Sequence, residues 1–180
     1  WVYGVHLTAY PYGPYDLRDN PALRPEELIR TAWETRGSEI APVLEAIAAA
    51  QAAGYAVILG GDFNEPSHLD WSPRAAAAGR HFGVSVVWPT STAVVRAGGT
   101  DSFRALRPDE VRDPADTWTP LVAENEVHDR IDLLYHAGPG IVPADAVVVG
   151  EHVGLADLAV QPYPSDHRAV AVSYRLAAQG

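Results

Sequence analysis

The apolar run Tyr55-Ala56-Val57-Ile58-Leu59 is followed at once by Gly60-Gly61-Asp62-Phe63-Asn64-Glu65-Pro66, and no other stretch constrains this chain as tightly. Apolar residues closed by two glycines read as a buried strand that ends abruptly. Asp62 and Asn64 leave that strand two residues apart, so in extended backbone they project to the same side. One brings a hard anionic oxygen; the other brings an amide that can bind a cation through oxygen or a phosphate through nitrogen. Glycines beside them leave room for a ligand to approach. The pattern suits an oxygen-rich metal and phosphate site. An Asx turn stopped by Pro66 is the purely structural alternative.

Three further segments carry polar residues at strand ends. Near the C-terminus, Ser165-Asp166-His167 enters the apolar stretch Ala169-Val170-Ala171-Val172. In Val127-His128-Asp129-Arg130-Ile131-Asp132-Leu133-Leu134-Tyr135, alternation puts Asp129 with Ile131 and Leu133, and Asp132 with Arg130 and Leu134. An acid among the apolar residues of a central strand is costly unless paired, so Asp132 is expected to meet a histidine or an amide. Asp129 competes with it for that role. Val2 to Leu7 forms a short strand that delivers His6 to its end. Each segment alone is weak, since a lone His or an Asp-His pair more often caps a structure than catalyses.

The intervening chain alternates helices and strands. Tyr10, Tyr12 and Tyr15 sit in a Pro-rich loop that forms either a substrate lip or a stiff surface turn. Pro25-Glu26-Glu27 opens a helix with acids in its first turn. Ser38 restarts or continues it, with Ile40, Val43, Leu44 and Ile47 on one face, and Gly54 ends it. Short helices are expected at 74–79 and 92–97, and strands at 84–87, at Trp118, and over 131–135, 146–149 and 169–174. His68, Asp70 and Trp71 either line a substrate entrance or anchor a turn.

With 180 residues the chain is most simply one domain. The absence of Cys removes disulfides and thiolate chemistry together. No window holds about 18 uninterrupted apolar residues, so no transmembrane helix is expected. All 13 basic residues are Arg, and the net charge is −10. Tight duplex binding relies on clustered cations that displace phosphate counterions, and no such cluster is visible.

Taken in order, V-H-L at 5–7, G-G-D-F-N at 60–64, D-S-F-R at 101–104, T-W-T-P at 117–120, D-R-I-D at 129–132 and S-D-H at 165–167 resemble the endonuclease/exonuclease/phosphatase superfamily. These are DNase I-like, metal-dependent phosphoesterases. The resemblance implies an α+β fold: a four-layer αββα sandwich of two mixed β-sheets with outer helices. It covers nearly the whole chain but only the later part of the family pattern. The chain is therefore expected to be the C-terminal portion of one such domain, with most of the opposing sheet supplied by an upstream segment. The uncovered sheet face would then favour a dimer or that segment.

The resemblance further implies hydrolysis of a phosphate ester by an activated water. Asp62 would serve as general base, Asn64 would hold water or a phosphoryl oxygen, and His167 and His6 would contact the phosphate. Asp132, with Asp129 as its competitor, would keep His167 protonated. Asp166, assisted by Asp62 and Asn64, would hold Mg²⁺ or Mn²⁺, while His68 and Trp71 would join His6 and Asn64 in binding substrate. The substrate could be a small molecule, a lipid headgroup or a nucleic acid. The family's metal-binding Glu and a metal-site Asn are absent from this chain. A non-catalytic association module with an incomplete site is thus the competing expectation.

Overall fold

The computed structural model describes residues 1–177. Four strands make the first sheet: β1 (Val2–His6), β2 (Val57–Asp62), β3 (Thr100–Asp101) and β4 (Asp132–Ala137), in the order β1-β2-β4-β3. β1 runs parallel to β2, whereas β4 is antiparallel to both β2 and β3. A parallel pair requires a crossover. That crossover contains α1 (Gly13–Asp19) and the long α2 (Pro25–Ala52).

α2 and the shorter α4 (Pro89–Arg96) cover one face of the sheet. Ile40 and Ile47 from α2 and Val94 from α4 bury against Val57, Leu59, Leu133 and Tyr135. Such side chains contribute about 1.5–3 kcal/mol each when fully buried. α2 does not break at Ser38. Pro42 lies inside it on the exposed side, where the carbonyl left without a helical N–H faces water.

The second sheet has the order β6-β5-β7, from β5 (Ile141–Gly150), β6 (Leu158–Ala159) and β7 (Ala169–Leu176). β5 is longer than the apolar pattern suggests because it continues through an irregularity between Pro143 and Asp145. Phe103 of α5 (Ser102–Leu106) packs with Ala146, Val148, Val170 and Val172. The sheets are tied where Tyr174 donates to Ser102 Oγ (2.7 Å), which in turn lies 2.9 Å from His136 Nδ1. Two mixed sheets with helices agree with the expected fold class. The chain carries three strands of a second sheet itself.

Several local expectations are corrected. Residues 84–87 form no strand: Val86 N–H and Ser85 Oγ both donate to the Trp71 carbonyl, so this backbone is anchored to a loop instead of a sheet. Trp118 makes only isolated bridges, to Asp129 and His167. Gly13-Pro14 opens α1 inside what reads as an irregular Tyr/Pro loop. α3 (Pro73–Ala77) starts with Ser72 Oγ accepting from Ala75 N–H, a side-chain cap.

Gly61 is required by the packing of β1 on β2. Its φ of +145° is a conformation L side chains rarely adopt, and a Cβ there would strike the Val5 carbonyl. This glycine lets β1 approach closely and sets the register on which the site depends.

Candidate active site

Strand register assembles the site. His6 pairs across from Asp62, and Asp62 pairs across from Asp132, so three adjacent strand ends present these side chains in a row. All three stay on the face away from the α2 core, because their neighbours Val5, Leu59 and Leu133 take the other side. His167 arrives just before β7, in a segment bridged to Trp118. His167 Nδ1–H donates to Asp132 Oδ2 at 2.9 Å, and its Nε2 lies 3.9 Å from Asp62 Oδ2. His6 Nε2 is 3.6 Å from the same oxygen. Asn64, held at φ +47°, turns back: its N–H donates to Asp62 Oδ1 (2.7 Å) and its Nδ2 to the Leu7 carbonyl (2.8 Å). That bond leaves the Asn64 Oδ1 as an acceptor on a residue that lines the same cleft as Asp62.

The electrostatics divide the cluster. The hydrogen bond to Asp132 raises His167 above its ordinary 6.5, against a smaller opposing effect of burial. Burial also raises the Asp62 carboxyl above its ordinary 3.8, and the charge of Asp132 adds to that rise. The Asp62 and Asp132 carboxylates and His167 place donor atoms within 4.8 Å of one another. Two carboxylates with one imidazolium leave negative charge uncompensated, and the nearby Asn64 oxygen is hard. The donor set therefore fits a hard divalent cation.

A pH profile follows if Asp62 acts ionised and His167 acts protonated. Activity should rise through the elevated Asp62 titration and fall through the elevated His167 titration. Replacing Asp132 by Asn removes the main cause of the His167 shift, so the alkaline limb of kcat/KM should move to lower pH. A pH–rate series on both proteins checks this. The stability that His167 adds is complete below its ordinary value and is lost as pH rises through its raised one.

These groups open into a cleft of about 230 Å³. Its other wall is aromatic: Tyr10, Tyr12, Tyr15 and Trp118, with Ile131 below. Trp118 packs its ring 4.8 Å from that of His167. It is a lining residue that motif reading did not assign to the site, although it sits in the T-W-T-P pattern. The tyrosine loop does reach the cleft.

Other expected residues lie elsewhere. Asp129 is buried (1 % exposed) and does not face the cleft. It accepts from Trp71 Nε1 (2.8 Å) and Tyr12 Oη (2.9 Å), and its backbone pairs with Trp118. Alternation sets Asp129 apart from Asp132, together with Ile131 and Leu133, and all three are buried; β4 itself begins only at Asp132, so Asp129 and Arg130 lie in irregular backbone before it. Trp71 is fully buried and stacks on His81, which makes it an anchor and not part of a substrate entrance. His68 is held by Ser91 through both its N–H and its Nδ1, away from the cleft. Asp166 is exposed and lies outside the Asp62/Asp132/His167 group, although its charge helps raise His167.

Glu65, next in sequence to Asn64, is buried. One carboxylate oxygen accepts from Thr90 N–H (2.8 Å) and Thr90 Oγ1 (2.6 Å), while Oε2 has no partner among the described residues. Burial pushes its titration up to about 7. The folded state thus binds the proton more tightly than the unfolded chain, and stability falls as pH rises from about 4.5 through about 7. Over that range wild type should lose about 3 kcal/mol relative to Glu65→Gln, which carries no such proton. Urea unfolding of both proteins at pH 5 and pH 8 measures the difference.

Comparison with known proteins identifies the family and the fold. The sequence profile of the Endonuclease/Exonuclease/phosphatase family matches residues 7–167. An uncharacterized Caenorhabditis elegans protein, F14F9.5, is 27 % identical over 187 residues, covering 96 % of this chain and 59 % of its own length. Truncated TDP2 from C. elegans superposes with a TM-score of 0.50 at 19 % identity, over 98 % of this chain and 54 % of that one. The 3′ phosphatase NExo from Neisseria, bound to a product DNA hairpin, gives 0.51 at 19 % identity, over 81 % and 54 %. At such identities the superpositions speak for the fold, and the chain spans little more than half the length of these relatives. The profile match, running from the end of the His6 strand to His167, places the chain in the endonuclease/exonuclease/phosphatase family.

Proposed function

We propose that this site hydrolyses phosphate esters by direct attack of water on phosphorus. The observation that carries the reading is the convergence of His6, Asp62, Asn64 and the Asp132-supported His167 on one cleft. Asp62, its affinity for a proton raised by burial, takes the proton from the attacking water as general base. Asn64 Oδ1, fixed by the Nδ2 bond to Leu7, orients that water. His167 as a cation, with His6 opposite, binds the non-bridging oxygens and stabilises the charge that grows as the fifth bond to phosphorus forms. Asp132 holds His167 in the required orientation and charge state. The P–O bond to the ester oxygen breaks as the P–O bond to water forms.

Mg²⁺ or Mn²⁺, held by Asn64 and Asp132 with Asp62 near, would supply positive charge to a phosphoryl oxygen. So few protein oxygens leave most of the ion's waters in place, and binding should be weak. NExo is described with a product DNA hairpin. For this chain, the net charge of −10 and a cleft lined by no Arg favour small esters over long duplex DNA. Hydrolysis of bis-p-nitrophenyl phosphate in ¹⁸O-labelled water tests the reading. Direct attack places the label in the p-nitrophenyl phosphate product, whereas unlabelled product from a single turnover would contradict it.

A further inference from the structure

The segment Thr117-Trp118-Thr119 runs between the two stretches that supply the Asp132–His167 pair. Trp118 is bridged on one side to Asp129 and on the other to His167. Both threonines are buried, and neither lines the cleft. Thr117 Oγ1 accepts from two consecutive backbone N–H groups, those of Ile131 (3.1 Å) and Asp132 (3.0 Å). The Thr117 carbonyl accepts from Arg168 N–H at 2.8 Å, and Thr119 Oγ1 donates to the Asp166 carbonyl. The residues on either side of His167 are therefore bonded to this segment, and so is the backbone of the acid that holds His167.

Both members of the pair need such an anchor. Asp132 is the first residue of β4, and His167 precedes β7, which begins only at Ala169. Neither is held by a regular ladder on both sides. Without the Thr117 hydroxyl, two adjacent N–H groups would lose their acceptor, and a folded chain avoids that by shifting its backbone or admitting water. Either response moves the Asp132 carboxylate, whose Oδ2 meets His167 Nδ1 at 2.9 Å. A displacement of about 1 Å breaks a hydrogen bond of that length and is costly in a reacting site.

We infer that Thr117 and Thr119 are positioning residues for the phosphoryl chemistry: their hydroxyls clamp Asp132 and His167 at hydrogen-bonding distance without touching substrate. The inference rests on the phosphoesterase reading and deepens it. Thr117 carries the larger share, because its one oxygen serves two N–H groups at the root of Asp132. Val has the shape of Thr but no acceptor, whereas Ser keeps the acceptor and gives up only a methyl group. The pair of substitutions therefore separates the hydroxyl from the packing.

The test joins a rate to a signal that needs no turnover. With ¹⁵N-labelled histidine in EDTA, the His167 Nδ1–H proton held by Asp132 should give an NMR resonance protected from exchange, identified by its absence in His167→Gln. Thr117→Val should lose that resonance. It should also lower kcat for bis-p-nitrophenyl phosphate with Mg²⁺ by about 10- to 100-fold, with KM changed far less. Thr117→Ser should keep both. A hydroxyl that serves stability alone would lower the urea midpoint of Thr117→Val yet leave the resonance and the kcat of the folded protein in place, and that result overturns the inference. A wild type without the resonance overturns it too. Should Thr117→Val fail to fold, Thr119→Val decides, since it gives up a bond to the carbonyl of an exposed residue. Weakening of the resonance and of kcat in Thr119→Val upholds the clamp, and their persistence overturns it. If the wild type hydrolyses no phosphate ester, the phosphoesterase reading falls by itself. Loss of the resonance in Thr117→Val would still uphold the clamp, and its persistence would overturn it.

Discussion

Replacing Asp62 by Asn should lower kcat for a phosphodiester by about 10²–10⁴-fold, the range a positioned general base contributes. The substitution is nearly isosteric. An amide oxygen at the Oδ1 position can still accept from Asn64 N–H, and β2 keeps its partners on both sides. Folding should consequently change little while the proton acceptor is lost. Asp62 suits the role because burial raises its proton affinity while Asn64, His6 and His167 surround it. The acid limb of the pH profile should vanish with it. A variant retaining more than a tenth of wild-type kcat would remove Asp62 from the mechanism. If KM rose at unchanged kcat, Asp62 would be a binding group only.

The second large effect concerns stability. Arg130 is fully buried and donates to Asp101 through Nη2 (2.7 Å) and Nη1 (3.2 Å), and to Asp70 through Nε (2.9 Å). Arg104 closes the cluster, donating from Nε to the other oxygen of Asp70 at 2.6 Å. Arg130→Ala would leave two buried carboxylates without their shared cation, which should destabilise the fold by about 3–5 kcal/mol. That is a large share of the roughly 5–15 kcal/mol typical of a domain. Urea unfolding at pH 7 measures it. A loss below about 1 kcal/mol would mean that the cluster is hydrated or rearranges. The combined Arg130→Met, Asp101→Asn variant should recover part of the deficit, because it removes a charge along with its partner. The cluster joins the loop after Asn64 to the residue two before Asp132.

The same cluster shows what could be read in the sequence and what could not. Asp62 and His6 were legible because period-two strand geometry decides where they point, and the glycines mark the strand's end; Asn64 was not, because the chain leaves β2 at Asp62 and Asn64, at φ +47°, closes an Asx turn on the Asp62 carboxylate. The pairing of Asp132 with a histidine followed from the cost of a lone acid in a central strand. The partners of Asp129 were not legible: alternation separates it from Asp132, but Trp71 and Tyr12 reach it from 58 and 117 residues away. Trp71 and His68 shared that fate, since a loop side chain is oriented by tertiary partners. The expected strand at 84–87 failed for a related reason, because its apolar residues were buried by two tryptophans instead of by a neighbouring strand. The aromatic wall was visible only as a Tyr-rich loop. Nothing local to Trp118 shows that it will lie against His167.

The most direct test of the central claim is hydrolysis of bis-p-nitrophenyl phosphate by this chain and by Asp62→Asn, with Mg²⁺ or Mn²⁺ and with EDTA. The account predicts turnover that saturates with the divalent ion, stops in EDTA and is lost in the variant. Turnover that survives both EDTA and Asp62→Asn would contradict it, as would the absence of hydrolysis from this diester and from aryl and nucleoside monoesters alike.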